Sequence, residues 1–133
     1  MSRKWILVIL SLLAISLSIF LGVYHLQSNL DLLRFVSLDD VDLSRIENGT
    51  YTGRHTVLPI SVEVAVTLEE HRITRIELVR HTHGRGSGAA VIPDRVLEQQ
   101  SLRVDTVSGA TYSSVVILQA IEDALRAGLA SSP

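Results

Sequence analysis

The 133-residue chain contains no cysteine, only three prolines and 5% aromatic residues. The lack of cysteine excludes disulfide bonds, thiolate metal ligands and a lipid anchor on an N-terminal cysteine. The few aromatic residues cannot form a base-stacking platform, and a formal net charge of −2 provides no basic surface. We therefore expect no nucleic-acid partner.

One long apolar run lies near the N-terminus. Trp5 to Tyr24 carry no charge, and at about 1.5 Å per residue they span about 30 Å, one hydrocarbon core. An uncleaved anchor is favoured over a cleaved signal peptide, because the run is long and no Ala-x-Ala-like site follows it. Arg3 and Lys4 precede the run and acidic residues follow it. This asymmetry predicts a cytoplasmic N-terminus, contact with membrane lipid, and a domain on the outer side.

Four segments are expected along the chain. They are an anchor at 1–24, a stalk or linker at 25–48, a folded domain at 49–128 and a frayed tail at 129–133. Leucines at helical spacing in the linker predict either a continuation of the membrane helix or a segment that packs on the domain. A domain of about eighty residues has marginal stability without help from a ligand.

The first half of the domain has the pattern of β-strands. Asn48-Gly49 is a turn signal before a first strand, Thr50 to Val57. Ile60 to Leu68 alternates apolar and polar residues with a period of two, and Ile73 to Arg80 is a third β-rich run. These runs predict an antiparallel hairpin or meander.

The second half has the pattern of helices. A modest helix is predicted from about Pro93 to Gln100, because proline suits a first turn. A second is predicted over Val115 to Leu125, with Gly128 ending it. The expected fold is therefore α+β, a small antiparallel sheet with two helices packed on it, preceded by one N-terminal transmembrane helix.

Between the two helices lies the stretch Asp105-Thr106-Val107-Ser108-Gly109-Ala110-Thr111. The start of a helix offers unpaired N–H groups and the positive end of a dipole, and small residues let a ligand approach the main chain. The functional interpretation is a site for a phosphate-bearing ligand. The alternative is an ordinary cap, in which Ser108 or Thr111 accepts hydrogen bonds from the first turn while Gly109 permits the bend.

The pattern Asp-x-x-Ser-Gly-Ala-Thr at 105–111 resembles the flavinylation motif of the FMN-binding domain family. This domain occurs in the C subunit of the sodium-translocating NADH:quinone reductase, the G subunit of the Rnf complex and small membrane-anchored proteins, which are the nearest comparison. The similarity extends to Gly49-Thr50-Tyr51-Thr52-Gly53 and Gln100-Ser101-Leu102. At Glu69 to Arg72 the family often has Asp-Gly-Lys, so a longer or less tight connection is implied here.

The resemblance implies that Thr111 carries FMN through a phosphodiester bond. It also implies a separate flavin transferase that takes FMN from FAD with the help of Mg²⁺, so neither a catalytic residue nor a metal site is expected in this chain. We expect Asp105 to help present the motif, Gly109 and Ala110 to give access to Thr111, and Ser108 to hydrogen-bond the phosphodiester.

A glycine-rich loop at 81–88 is the second candidate binding element. His83, Gly84 and Gly86 are expected to lie against the isoalloxazine ring, where Arg85 would favour the reduced flavin. The alternative is that these glycines only form turns and that the histidines lie at a solvated strand end.

The resemblance implies a membrane-anchored electron carrier rather than a stand-alone enzyme. Its donor would be a membrane quinol or a quinone-reducing dehydrogenase. One alternative is a module that binds or senses FMN or another small ligand noncovalently, without redox turnover. Another is a structural envelope protein in which the motif is only a helix cap.

Overall fold

The computed structural model describes residues 3–31, 40–82 and 87–132. Short 3-10 turns at Leu43–Arg45 and Ser87–Val91 precede the first strand and the second helix. The elements in chain order are helix α1 (Arg3–Asp31), strands β1 (Gly49–Val57), β2 (Ile60–Glu69) and β3 (Arg72–Thr82), and helices α2 (Ile92–Gln99) and α3 (Thr111–Ser131). The structure is thus a three-stranded antiparallel sheet with helices packed on it, plus an apolar N-terminal helix.

Helix α1 contains the apolar run noted in the sequence. Its stretch Lys4–Tyr24 is long and apolar enough to cross a membrane, and its side chains are exposed. An N-terminal helix of this kind is compatible with a membrane anchor or a signal sequence. The helix continues to Asp31. The leucines expected to form a stalk or to pack on the domain lie at positions whose side chains are outside the described residues.

The three strands form an antiparallel meander in the order β1-β2-β3, as predicted. The period of two in β2 separates a core face from a half-buried face. The core face is formed by Ile60, Val62, Val64, Val66 and Leu68. In register, Val64 of β2 pairs with Gly53 of β1 and Leu78 of β3, so these residues point to the same side.

The connection between β2 and β3 is a tight turn, and the expectation of a longer one is wrong. Glu69 pairs with Arg72, and the two residues between them, Glu70 and His71, have φ values of 50° and 60°. Positive φ at both central residues matches the right-handed twist of a hairpin, even without glycine. The Glu70 N–H also donates to Asn48 Oδ1 at 2.9 Å, which holds the turn against the start of β1.

Helix α3 lies along β1 in the opposite direction. Its middle lies on Gly53, where a side chain would overlap the main chain of Ala120 and Ala124, and its end lies beside Tyr51 at Gly128. The start of α3 therefore lies toward the end of β1 that turns into β2. The apolar face predicted for this helix is buried, at Ile117, Leu118, Ile121, Ala124 and Leu125.

Helix α3 is longer than predicted at both ends. It begins at Thr111 rather than Val115, and it continues through Gly128 to Ser131 instead of ending at the glycine. Gly128 is buried, and a methyl group there would lie 2.7 Å from Ile46 Cγ2. This glycine therefore allows close packing within a continuous helix, which local sequence signals for helix ends do not distinguish from termination.

Residues 40–48, the last part of the predicted linker, pack on the domain. Ile46 is buried, and Val41 and Leu43 pack against the core cluster. The Asp40 carboxylate accepts the Ser101 hydroxyl at 3.0 Å and the Leu102 N–H at 3.2 Å. This stretch therefore contributes to the tertiary structure of the domain.

Helix α2 packs beside β3 and has a proline in its first turn, as predicted. Gln100 ties the end of this helix to the strand. Its side chain accepts the Ile73 N–H at 2.9 Å and donates to the Ile73 and Leu97 carbonyls at 2.9 and 2.8 Å. These hydrogen bonds fix the end of α2 against β3, and the chain continues from there to the motif and α3.

Candidate functional site

The chain makes a tight turn from Val107 to Ala110 just before α3. The Ala110 N–H donates to the Val107 carbonyl at 2.9 Å, and Gly109 has a φ of 80°. A positive φ at this position is what a type II turn requires, so Gly109 permits the bend as predicted. Apart from its two chain neighbours, no described residue has an atom within 4 Å of the position that a Cβ of Gly109 would take, so no described segment covers this side of the turn.

Ser114 joins this turn to the first turn of α3. Its side chain is fully buried, and its hydroxyl accepts the Val107 N–H at 3.0 Å and donates to the Ala110 carbonyl at 2.9 Å. The same carbonyl accepts the Ser114 N–H at 2.9 Å. The sequence interpretation missed this role. Ser114 follows Ala110 by four residues, the spacing at which a helical serine bonds back to a carbonyl, and that spacing was the available signal.

Arg95 fixes the segment on the other side of the turn. This side chain extends from α2, and its Nη1 donates to the carbonyl of Asp105 at 2.6 Å. The contact holds the main chain of the motif and brings a guanidinium group close to it. No local pattern predicts such a contact, because it depends on how α2 packs relative to the motif.

The polar side chains of the motif are not used to stabilise the fold. Asp105, Thr106, Ser108 and Thr111 are exposed, and none of their side chains forms a hydrogen bond with any residue in 3–31, 40–82 or 87–132. The N-cap residue of α3 is Ala110, which has no side-chain cap. The alternative in which Ser108 or Thr111 caps the helix is therefore wrong. These side chains are available to a ligand or to another protein.

The first turn of α3 offers main-chain donors to an anion. The first helical N–H with a main-chain partner is that of Ser114, and those of Thr111 and Ser113 have none among the described residues. The helix has 21 residues, so its start carries a substantial partial positive charge. Free N–H groups, a helix dipole, an exposed hydroxyl and an open glycine fit a phosphate group.

The glycine-rich loop at 81–88 is described at its two ends, residues 81–82 and 87–88. His83, Gly84 and Gly86, predicted to contact the flavin ring, lie outside the described residues. The chain resumes at Ser87, and a methyl group on Gly88 would contact Val107 Cγ1 and Ala110 Cβ at 3.6 and 3.9 Å. The end of the loop therefore lies beside the turn that carries the motif.

The motif residues lie together at one end of the sheet. Thr111 starts the helix that runs back along β1, so it lies toward the β1–β2 turn. Leu58 of that turn is 68% exposed. Anything attached to Thr111 would therefore extend from the end of the domain rather than from the middle of a packed face.

Comparison with known proteins covers the part of the chain that contains the motif. The FMN-binding domain family matches residues 58–126, a range that covers two strands, α2, the motif and most of α3. Urocanate reductase of Eggerthella lenta is 40% identical over an 88-residue alignment that covers 63% of this chain. The matched region is only 14% of the length of that reductase. The resemblance inferred from the motif is confirmed: the chain belongs to the FMN-binding domain family, whose cofactor is FMN.

Proposed function

We propose that Thr111 is the residue to which FMN is joined through a phosphodiester bond. One observation carries this proposal: Thr111 is exposed on the first turn of α3, and its hydroxyl makes no hydrogen bond within the described ranges. The adjacent free N–H groups suit the charge of a phosphodiester.

The attachment requires a separate enzyme. A threonine hydroxyl is a weak nucleophile, and no described carboxylate, histidine or lysine forms a hydrogen bond with it. With FAD as the donor, a bond forms between Thr111 Oγ1 and the phosphorus of the FMN moiety while the pyrophosphate P–O bond breaks. AMP leaves with the bonding electrons, and the hydroxyl proton passes to a base of the flavin transferase. Mg²⁺ bound by the transferase would neutralise the pyrophosphate.

The neighbouring residues have distinct roles in this proposal. The Ser108 hydroxyl and the N–H groups of the first turn would hold the phosphodiester oxygens. Gly109 would leave the approach to Thr111 open, because beyond its chain neighbours no described atom lies within 4 Å of its Cβ position. The exposed Asp105 carboxylate would be recognised by the transferase, and Arg95 keeps its main chain in place.

The proposed role of the modified domain is to carry electrons. When bound, FMN supplies two-electron redox chemistry, taking two electrons and two protons from a quinol, which becomes a quinone. The apolar helix α1 would keep the domain at the membrane surface, where a quinol or a quinone-reducing dehydrogenase is available. The charges flanking α1 favour an outward-facing domain. Similarity to part of a protein named as a reductase supports a redox role.

The attachment is tested by co-expressing the full chain with an FAD-dependent flavin transferase. We expect flavin fluorescence that survives a denaturing gel, and a mass gain of one FMN less one water on the peptide that contains Thr111. Thr111→Ala should abolish both signals. Thr106→Ala removes another exposed threonine of the same segment and should leave both unchanged. Fluorescence that persists in Thr111→Ala, or a modified peptide elsewhere, would refute the assignment.

Electron carriage is tested separately on the modified protein. We expect a soluble quinol analogue to bleach the flavin absorbance, and an added oxidant to restore it over repeated cycles. A flavin that dithionite reduces but no quinol does would contradict a quinol-linked carrier and favour a module that only binds or senses FMN. The wild-type chain prepared without the transferase is the control for noncovalent flavin.

A further inference from the structure

Ser114 is a buried serine whose hydroxyl contacts the main chain of the turn before α3. Its single hydroxyl accepts the N–H of Val107 and donates to the carbonyl of Ala110, and these are the two ends of the turn before α3. We propose that Ser114 is a positioning residue for the modification of Thr111, an inference that rests on the proposed function. It acts through the main chain, because its buried side chain cannot contact a ligand on the open side of the turn.

The planar peptide bond between Ala110 and Thr111 connects the contacts of Ser114 to the orientation of Thr111. The carbonyl of Ala110 and the N–H of Thr111 belong to one rigid peptide unit. That carbonyl accepts two hydrogen bonds from Ser114, one from its hydroxyl and one from its N–H, both at 2.9 Å. Fixing the carbonyl fixes the direction of the Thr111 N–H, and it limits the orientation of the Thr111 side chain that follows.

The contact with Val107 fixes the other end of the turn. Without the Ser114 hydroxyl, the Val107 N–H would lose its only partner among the described residues. The turn would keep the bond from Ala110 to Val107, the Ser114 N–H to the Ala110 carbonyl and, further upstream, the contact of Arg95, but the Val107 end would no longer be joined to α3. Ser108, between these points, could move away from Thr111. A segment that must enter another enzyme's active site reacts more slowly when its reacting group is not held in place.

The neighbouring serine provides a matched control. Ser113 is also buried and lies in the same helical turn, but its side chain makes no hydrogen bond with the described residues. Ser113→Ala and Ser114→Ala remove the same atom from adjacent buried positions. Only the second change removes the hydroxyl bonds to Val107 and Ala110.

The test measures the rate of flavinylation of the full chain in detergent by a purified flavin transferase with FAD and Mg²⁺. All variants are compared at a temperature at which circular dichroism shows them folded. Ser114→Ala should lower kcat/KM for the transfer by about tenfold, the loss expected when one ordering hydrogen bond is removed, whereas Ser113→Ala should stay within about twofold of wild type.

The variant Ser114→Thr separates positioning from stability. It keeps the hydroxyl but adds a methyl group at a fully buried position, so it should lower Tm while retaining most of the transfer rate. The rate of hydrogen exchange at the Val107 N–H is a second measurement, and it does not require that Ser114→Thr folds. Ser114→Ala should accelerate this exchange selectively, and Ser113→Ala should not.

The outcomes separate this inference from the proposed function. If the wild-type chain is not modified, the proposed function fails and this inference fails with it. If the wild type is modified and Ser114→Ala reacts at the same rate, only the positioning role is refuted. Rates that follow Tm across the three variants would likewise refute it, because a positioning role requires Ser114→Thr to react faster than its stability predicts.

Discussion

Replacing Gly53 with alanine should destabilise the domain strongly, because α3 lies directly on this position of β1. An added Cβ would overlap the Ala120 carbonyl oxygen and the Ala124 nitrogen, and it would lie 2.9 Å from Ala124 Cβ. Two of these atoms belong to the main chain of a helix, so no side-chain rotation relieves the overlap. The whole of α3 would have to move by about 1 Å in a close-packed interior.

The magnitude follows from the cost of overpacking, which is about 1–3 kcal/mol and more where the backbone must shift. We expect Gly53→Ala to lower the free energy of unfolding by about 3 kcal/mol. This is a large part of the roughly 4–12 kcal/mol by which a domain of about 80 residues is stable. At about 4–8 °C per kcal/mol for this size, Tm should fall by about 12–24 °C.

Calorimetry of the full chain in detergent micelles tests this prediction, and Gly128→Ala is the matched control. The control also adds a methyl group between α3 and its neighbours, but the nearest atoms are the side chains of Ile46 and Tyr51, at 2.7 and 3.1 Å. Alanine in a helix gains about 1 kcal/mol over glycine, which offsets part of the cost of moving these side chains, so Gly128→Ala should lose clearly less stability than Gly53→Ala. Equal losses in the two variants would refute the reasoning that main-chain overlap at Gly53 dominates.

Two further predictions concern the motif and the start of the domain. Gly109→Ala should lower the unfolding free energy by about 1–2 kcal/mol and slow flavinylation, because its φ of 80° is unfavourable with a Cβ even in open space. Gly88→Ala, beside the same turn and with only ordinary contacts, should change neither quantity. The pKa of Asp42 is held below its usual value by the Ser44 hydroxyl, 2.6 Å away, and by the Ser44 N–H. Because the folded pKa is the lower one, the stability from ionised Asp42 should be present above about pH 4 and lost as pH falls through the folded pKa. Urea midpoints of wild type and Asp42→Asn should therefore converge in acid, and a constant difference from pH 7 to pH 3 would contradict this.

The sequence was sufficient wherever a signal is local and repeated. The alternation from Ile60 to Leu68 determined which face of β2 is buried, because successive side chains of a strand point to opposite faces. The apolar residues around Ile117 and Leu125 similarly identified the buried face of α3. Such a pattern predicts which face is buried even when the segment that covers this face is not known.

The sequence motif identified the family and its cofactor, and the match over residues 58–126 confirmed both. The departure at Glu69 to Arg72 was interpreted wrongly. A tight turn usually needs glycine for positive φ, but here Glu70 and His71 adopt it, and a hydrogen bond from Glu70 to Asn48 supports the turn. That bond joins residues 22 positions apart, so no local pattern contains it.

Only the tertiary structure decided how the motif is held and which of its groups are available. Arg95 from another helix and buried Ser114 fix the main chain around the turn, and Gly53 determines how closely α3 can approach the sheet. The Ser108 and Thr111 hydroxyls remain exposed instead of serving as caps. The physical reason is that hydrogen-bond satisfaction depends on the packing of distant segments, whereas the sequence fixes only which groups can take part.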